Sequence, residues 1–454
     1  MTRRGTPGMR RLQRAASAAT VCGMSAREIT PASGPVRGTI RPPGSRSITN
    51  RALVVAALAD GESVLEAVGL SDDTHVCAGA LRTIGIAVQV DEAGRRMRVA
   101  GCGGNVPAGP AEIDTGESGT ATRFITALVA AGRGRYRIDG TPRMRERPIQ
   151  DLLDGLAALG VRAGSETGAG CPPVVIETSG LAAGTVSLSG AVSSQYLSGL
   201  LMAAPAAAGP VTIEVTGELV SKPFIDMTVA VMQAFGVEVA RDGYARFAVP
   251  APAFYRARTW AVEPDAASAS YFLAAAAATG GRVTIDGLTR ASVQGAARFP
   301  DVLREMGCGL KWTDAGVTVT GPERLSGIRI DMNAMPDMVL TLAPLALLAR
   351  GRTVIENVAN LRVKESDRLA ALATELRRLG AKVEEHPDGL SIVPPKAIQP
   401  ARIATYNDHR MAMGMAIVGL AAPGIRIADP QCVAKTYPEF FEDLERLVHS
   451  EPRP

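Results

Sequence analysis

The chain has 454 residues, too many for one ordinary domain, so two or three are expected. A net charge of +4, from 49 basic and 45 acidic residues, is too weak to point to nucleic acid, and 4% aromatic content argues against base-stacking platforms. Six cysteines with no Cys-x-x-Cys pair or His/Cys cluster argue against a disulfide framework or a zinc site, and the longest apolar runs are too short to cross a bilayer.

Residues 1–27 are rich in arginine, include serine and alanine, and contain no acid. They read as a flexible N-terminal extension outside the fold, whether an organelle transit peptide, a misassigned start or a loose bacterial extension. The expected location is the cytoplasm, or an organelle in the first case.

Next comes Pro43-Gly44-Ser45-Arg46-Ser47-Ile48-Thr49-Asn50-Arg51, running into Ala52-Leu53-Val54-Val55-Ala56-Ala57-Leu58-Ala59. A Pro-Gly turn, then serine and threonine, suits a helix start, because their oxygens accept free backbone N–H groups. The helix behind is apolar on every face, which predicts burial. Its start carries unpaired amides and a partial positive charge beside Arg46, Ser47 and Arg51, and so forms an anion site. An ordinary capped helix with solvated arginines fits the same residues.

The design recurs. Apolar helices follow Ser118-Gly119-Thr120, Ser193-Ser194-Gln195, Asp265-Ala266-Ala267-Ser268, Pro336-Asp337 and Asp408-His409-Arg410. Each ends near a glycine (Gly61, Gly132, Gly209, Gly280, Gly351, Gly424), and these lie roughly 70 to 77 residues apart. A strand-like run comes next each time, near residues 63–66, 136–139, 211–214, 283–286, 353–356 and 425–427. A second, amphipathic helix then ends in glycine at Gly85, Gly160, Gly236, Gly307 and Gly380, with a sixth copy at Phe440–Leu447. The chain therefore reads as six α/β units, three plus three.

Cationic and polar residues gather at the helix starts. They are Arg46, Ser47 and Arg51; Arg123; Arg143 and Arg147; Ser193, Ser194 and Gln195; Ser221 and Lys222; Asp337; Lys364, Glu365 and Arg368; His409 and Arg410; Lys435. If the repeated helices stack in parallel, their starts converge on one surface. Two such three-unit bodies would face each other across a positive cleft suited to phosphates and carboxylates. Asp337, Glu365 and His409 among the cations are candidates for proton transfer.

Taken together, Pro43-Gly44-Ser45-x-Ser47-x-x-Asn50-Arg51, Ser118-Gly119-Thr120-Ala121-x-Arg123, Pro142-Arg143-Met144-x-Glu146-Arg147-Pro148-Ile149, Ser193-Ser194-Gln195, Arg362-Val363-Lys364-Glu365-Ser366-Asp367-Arg368 and Asp408-His409-Arg410-Met411-Ala412-Met413 resemble the 5-enolpyruvylshikimate-3-phosphate synthase family over about residues 30–448. The resemblance implies two similar α/β domains, each of three βαβαββ units with buried parallel helices, and a cleft between them. One domain would be 28–44 plus 261–454, the other 45–260. It implies transfer of the enolpyruvyl group of phosphoenolpyruvate to the 5-hydroxyl of shikimate 3-phosphate, on the route to chorismate and aromatic amino acids. No metal or cofactor is implied, nor a nucleic-acid or membrane partner, and a monomer is expected.

By the same resemblance, Arg46, Ser47, Arg51, Ser193, Ser194, Gln195, Ser221, Asp337, Asn360 and Lys364 would hold shikimate 3-phosphate. Arg46, Gly119, Arg143, Arg147, Arg368, Arg410 and Lys435 would hold phosphoenolpyruvate. Asp337 would take the 5-hydroxyl proton, and Glu365, helped by Lys435 or His409, would protonate the methylene carbon. Asp337 also fits as a helix cap, His409 as a structural helix-start residue and Lys435 as an exposed lysine. Two departures stand out: Arg46 where the family usually has lysine, and Glu117 where it often has asparagine. They leave room for a relative with another acceptor, such as a sugar nucleotide, or for a catalytically silent anion binder.

Overall fold

The computed structural model describes residues 26–449. The expectation for residues 1–25 lies outside the described residues. Ala26 and Arg27, assigned to the extension from sequence, belong instead to the fold. Strand Ala26–Glu28 pairs antiparallel with Ile425–Ala428, in the register Ala26↔Ala428, because the last unit's sheet offers it an edge.

The six repeated units are present. Their first helices are Arg46–Leu58, Gly119–Ala130, Ser194–Ala203, Ala266–Thr279, Val339–Leu345 and His409–Ala421. Ser118, Ser193, Asp265 and Asp408 cap four of them, each side chain accepting a backbone N–H of the first turn. Ser45 occupies the cap position of Arg46–Leu58 but makes no side-chain cap bond. The fifth helix is shorter than its apolar run. Pro344, which has no N–H to donate, sits inside it, and the chain tightens into 3-10 turns at Pro336–Met338 and Ala346–Leu348.

Sheet topology repeats with the sequence. Ala111–Asp114 runs parallel to Gly134–Asp139, which is antiparallel to Val174–Thr178, which is antiparallel to Arg162–Ser165. The chain crosses between halves twice. Arg37–Ile40 pairs with Arg282–Asp286, while Thr259–Ala261 pairs with Asp60–Glu66. The two crossing segments bond to each other, Ser45 N–H to Glu263 O at 2.7 Å and Asp265 N–H to Pro43 O at 2.8 Å. Two hydrophobic cores result: one drawn from residues between Ile48 and Val262, the other from Ile29 to Ile40 and Ala266 to Leu447.

Within each core the first helices pack side by side, and small residues permit close approach. A Cβ on Gly414 would lie 1.9 Å from the Leu340 carbonyl, so the backbones of His409–Ala421 and the fifth helix touch there. These helices are buried nearly all round, as their uniform apolarity requires. With no polar face to turn to water, their charged side chains lie within the first two turns.

Candidate functional site

Four helix starts from the two halves meet in one hollow. Ser47, Asp265, Asp337 and Arg410 line it, with Phe224 and Gln294 beside them. Unpaired N–H groups at such starts favour an anion. Close by, a second chamber of about 220 Å³ is lined by Arg143, Arg147, Lys435, Glu117 and Glu365, among others.

Arg368 joins the two. It is 2% exposed at its side chain and contacts Asp408 at 2.7 Å, Asp337 at 2.8 Å and Glu365 at 3.0 Å. Asp337 also meets Arg410 at 3.3 Å, and Glu365 meets Lys435 at 3.5 Å. Burial alone would push both Asp337 and Glu365 up. Arg410 and Arg368 outweigh it at Asp337, as do Arg368, Lys435 and Arg147 at Glu365, and both stay well below the usual carboxylate range. Both are therefore ionised at neutral pH.

Several of the expected residues line these hollows or contact residues beside them. Arg147 is 8% exposed and lies on Gly119: a Cβ there would sit 2.7 Å from both terminal nitrogens, so glycine is what lets the guanidinium seat. Arg143 crosses between halves, donating to the carbonyls of Lys364 at 3.0 Å and Glu365 at 3.2 Å. Asn360 donates to Ser221 across the same divide at 3.3 Å, and Ser221 holds a left-handed backbone, φ 57°. Gln195 donates to Thr120 at 3.1 Å from beside Ser193 and Ser194. Lys364 is half-buried, and burial lowers its pKa against the pull of Asp337 and Glu365.

Three placements differ from the simplest reading of the sequence. Arg51 is 2% exposed rather than facing the cleft. It donates to Thr228 at 2.7 Å, Ser198 and Phe224 O at 3.2 Å, and the carbonyl of Ser47 at 2.9 Å, with Phe124 and Phe224 against its plane. Neutral acceptors alone leave it poorly compensated, and burial lowers its pKa to about 9. Arg46 does not stand free but pairs with Asp73, itself 3% exposed. Arg368 spends its donors on carboxylates.

His409 is fully buried, and neither ring nitrogen has a hydrogen-bond partner among the described residues. Burial, then Arg410 and Arg46, hold its pKa well below the ordinary value. It is a neutral imidazole at pH 7. The unfolded chain takes up a proton near pH 6.5 while the fold resists it, so stability is full above that value and falls as pH drops towards the lower folded pKa. Unfolding measured from pH 7.5 to 5 should show a decline of up to about 1.4 kcal/mol per pH unit from this residue. His409→Asn should flatten the curve there; an equally steep curve in the variant would refute the assignment.

Asp73, Asp408, Asn407 and Tyr271 complete the site but were not picked out as site residues from sequence. Asp408 was legible as a cap, yet it also holds Arg368. Asp73 sits in an acidic run at a helix start, with no local sign of its role. The Tyr271 hydroxyl oxygen accepts from Arg410 at 3.3 Å. Among the described residues no group of three or more His, Cys, Asp or Glu could hold a metal, and no helix is long and apolar enough to cross a membrane.

A two-domain α/β fold with helix starts and buried cations converging from both halves defines a protein with an interdomain cleft suited to anionic small molecules. The sequence matches the family described as EPSP synthase (3-phosphoshikimate 1-carboxyvinyltransferase) over residues 31–444, and the chain belongs to that family. A 3-phosphoshikimate 1-carboxyvinyltransferase of Nostoc punctiforme is 48% identical over 93% of this chain and 99% of its own length. A chloroplastic one of Solanum lycopersicum is 46% identical over 90% of this chain and 82% of its own. The EPSP synthase structure of Acinetobacter baumannii superposes with a TM-score of 0.77 at 24% identity, covering 92% of this chain and 97% of that one. The enolpyruvyl transferase NikO of Streptomyces tendae shares the fold, with a TM-score of 0.75 at 20% identity over 92% of this chain and 96% of its own.

Proposed function

We propose that the cleft performs the family's reaction with a division of labour between its two hollows. The enolpyruvyl group of phosphoenolpyruvate passes to the 5-hydroxyl of shikimate 3-phosphate, and phosphate leaves. Ser47, Ser193, Ser194, Gln195, Ser221, Asn360 and Lys364 hold shikimate 3-phosphate, with Arg51 acting from behind Ser47. Arg143, Arg147, Lys435 and Arg410 hold phosphoenolpyruvate, with Arg46 between the substrates. Two domains close to the expected ones, 26–44 plus 263–449 and 45–262 among the described residues, agree with the two cores, and one chain supplies every residue needed, so a monomer suffices.

One observation carries this reading: Arg368 bridges Asp337, which lines the first hollow, to Glu365, which lines the second, at 2.8 and 3.0 Å. A base for the hydroxyl and a carboxylate for the methylene carbon thus flank one reacting centre. The hydroxyl oxygen bonds to the enol carbon as Asp337 takes its proton, and the methylene gains a proton from Glu365, which takes one up from solvent once the bound anions occupy its neighbouring cations. Expulsion of phosphate then breaks the C–O bond, the proton held by Asp337 leaves with the phosphate, and Glu365 takes a methyl proton back to regenerate the double bond. Arg147 and Lys435 offset the charge growing on the departing phosphate. His409, being neutral, contributes shape and a polar edge rather than an acid.

Phosphate release from phosphoenolpyruvate should require shikimate 3-phosphate. Release with a sugar nucleotide in its place would favour another acceptor. No release under either condition, restored by Arg46→Lys, would show that arginine disables a step needing a proton that guanidinium cannot give up.

A further inference from the structure

Glu117 stands where an anion has to bind. It lies just before the cap of helix Gly119–Ala130 and reaches the other half of the molecule. There Asn407 Nδ2 donates to both its carboxylate oxygens at 3.1 Å. Its Oε2 is 3.9 Å from Lys435 Nζ, which also faces Glu365 at 3.5 Å. One lysine is therefore shared by two carboxylates in the chamber that Arg143 and Arg147 make positive.

The partner loop is built to hold this contact. Tyr406 and Asn407 both have left-handed backbones, φ 56° and 53°, a conformation that asparagine tolerates and tyrosine does not favour. The Tyr406 hydroxyl donates at 2.8 Å to Glu375, which is fully buried, and the Ala404 N–H donates to the same carboxylate at 3.3 Å. The loop is thus pinned to its own half by Glu375 and to the opposite half by Glu117. Glu117, Asn407 and Lys435 also line an adjoining hollow of about 350 Å³, shared with Asp72, Asp73 and Asp429. They form the wall between a cationic chamber and an acidic one.

We propose that Glu117 is a positioning residue with two effects: through Asn407 it latches the halves together across the cleft mouth, and it screens Lys435, so that phosphoenolpyruvate binds only by displacing its carboxylate. This rests on the reading that Lys435, Arg143 and Arg147 hold phosphoenolpyruvate. The latch bonds are solvent-exposed, so both effects are modest and weaken with salt.

Two variants separate the effects. Glu117→Gln keeps an oxygen for Asn407 and removes the charge. KM for phosphoenolpyruvate and Kd for inorganic phosphate should each fall about five- to tenfold, the scale of one charge pair near 4 Å in a largely hydrated setting, while KM for shikimate 3-phosphate stays put. A purely structural role would move both substrates together. Asn407→Ala keeps the charge and cuts the latch; small-angle scattering of the unliganded variant should show a larger radius of gyration, recovered when both substrates are added. An unchanged or raised KM for phosphoenolpyruvate in Glu117→Gln, or an unchanged scattering profile in Asn407→Ala, overturns the proposal. The reading beneath it is tested separately: Lys435→Met should weaken inorganic phosphate binding, and if it does not, the substrate assignment fails whatever Glu117 does.

Discussion

Glu365→Gln is expected to lower kcat about a thousandfold while leaving Kd for shikimate 3-phosphate within a few-fold. The variant is nearly isosteric, so Arg143 can still donate to the backbone carbonyl and the chamber keeps its shape. What disappears is an atom able to accept and return a proton. In the unliganded enzyme the carboxylate is ionised, because Arg368, Lys435 and Arg147 outweigh its burial. Two polyanions entering the cleft reverse that balance: their charge occupies the same cations and raises the carboxylate's affinity for a proton as the methylene needs one. Glutamine cannot follow this change. Rapid-quench turnover with both substrates is the decisive measurement, alongside calorimetric binding of shikimate 3-phosphate. Retention of a tenth or more of the original kcat would remove Glu365 from the proton path.

The parts of the fold open to reading from sequence are those set by short-range chemistry. The caps Ser118, Ser193, Asp265 and Asp408 act within three residues, and the terminating glycines take left-handed conformations at Gly61, Gly280, Gly351 and Gly424. That is why the repeat was visible without any knowledge of packing. Pro344 could have warned of the short fifth helix, but the surrounding apolar run masked it. The site was legible as a set of residue types at helix starts, not as a set of pairings. Arg46 finds Asp73 and Arg368 finds Asp408, 27 and 40 positions away, and Asn407 finds Glu117 at 290. No local rule encodes such partners. Arg51 shows the limit most clearly: arginine ordinarily stays at the surface. Only the tertiary structure reveals the Thr228 and Ser198 hydroxyls and the carbonyls of Ser47 and Phe224 that make its burial tolerable.

Arg368→Met is expected to destabilise the half built on residues 266–447 by about 3–5 kcal/mol, on top of abolishing turnover. The size follows from what is left behind. Asp408 is fully buried and receives two guanidinium bonds, at 2.7 and 3.2 Å, besides capping helix His409–Ala421. Without the arginine it is a carboxylate in a dry interior, and Asp337 and Glu365 lose the cation between them. A buried ion pair adds little over a well-packed apolar pair, yet breaking one strands a charge. The same asymmetry supplies the control. Adding Asp408→Asn should recover part of the loss, because the amide keeps the cap and carries no charge. Protection of the His409–Ala421 amides against hydrogen exchange reports the local cost without assuming that both halves unfold together. If Arg368→Met leaves that protection intact, or if the double variant is no more stable than the single one, Arg368 is not what holds these carboxylates in place.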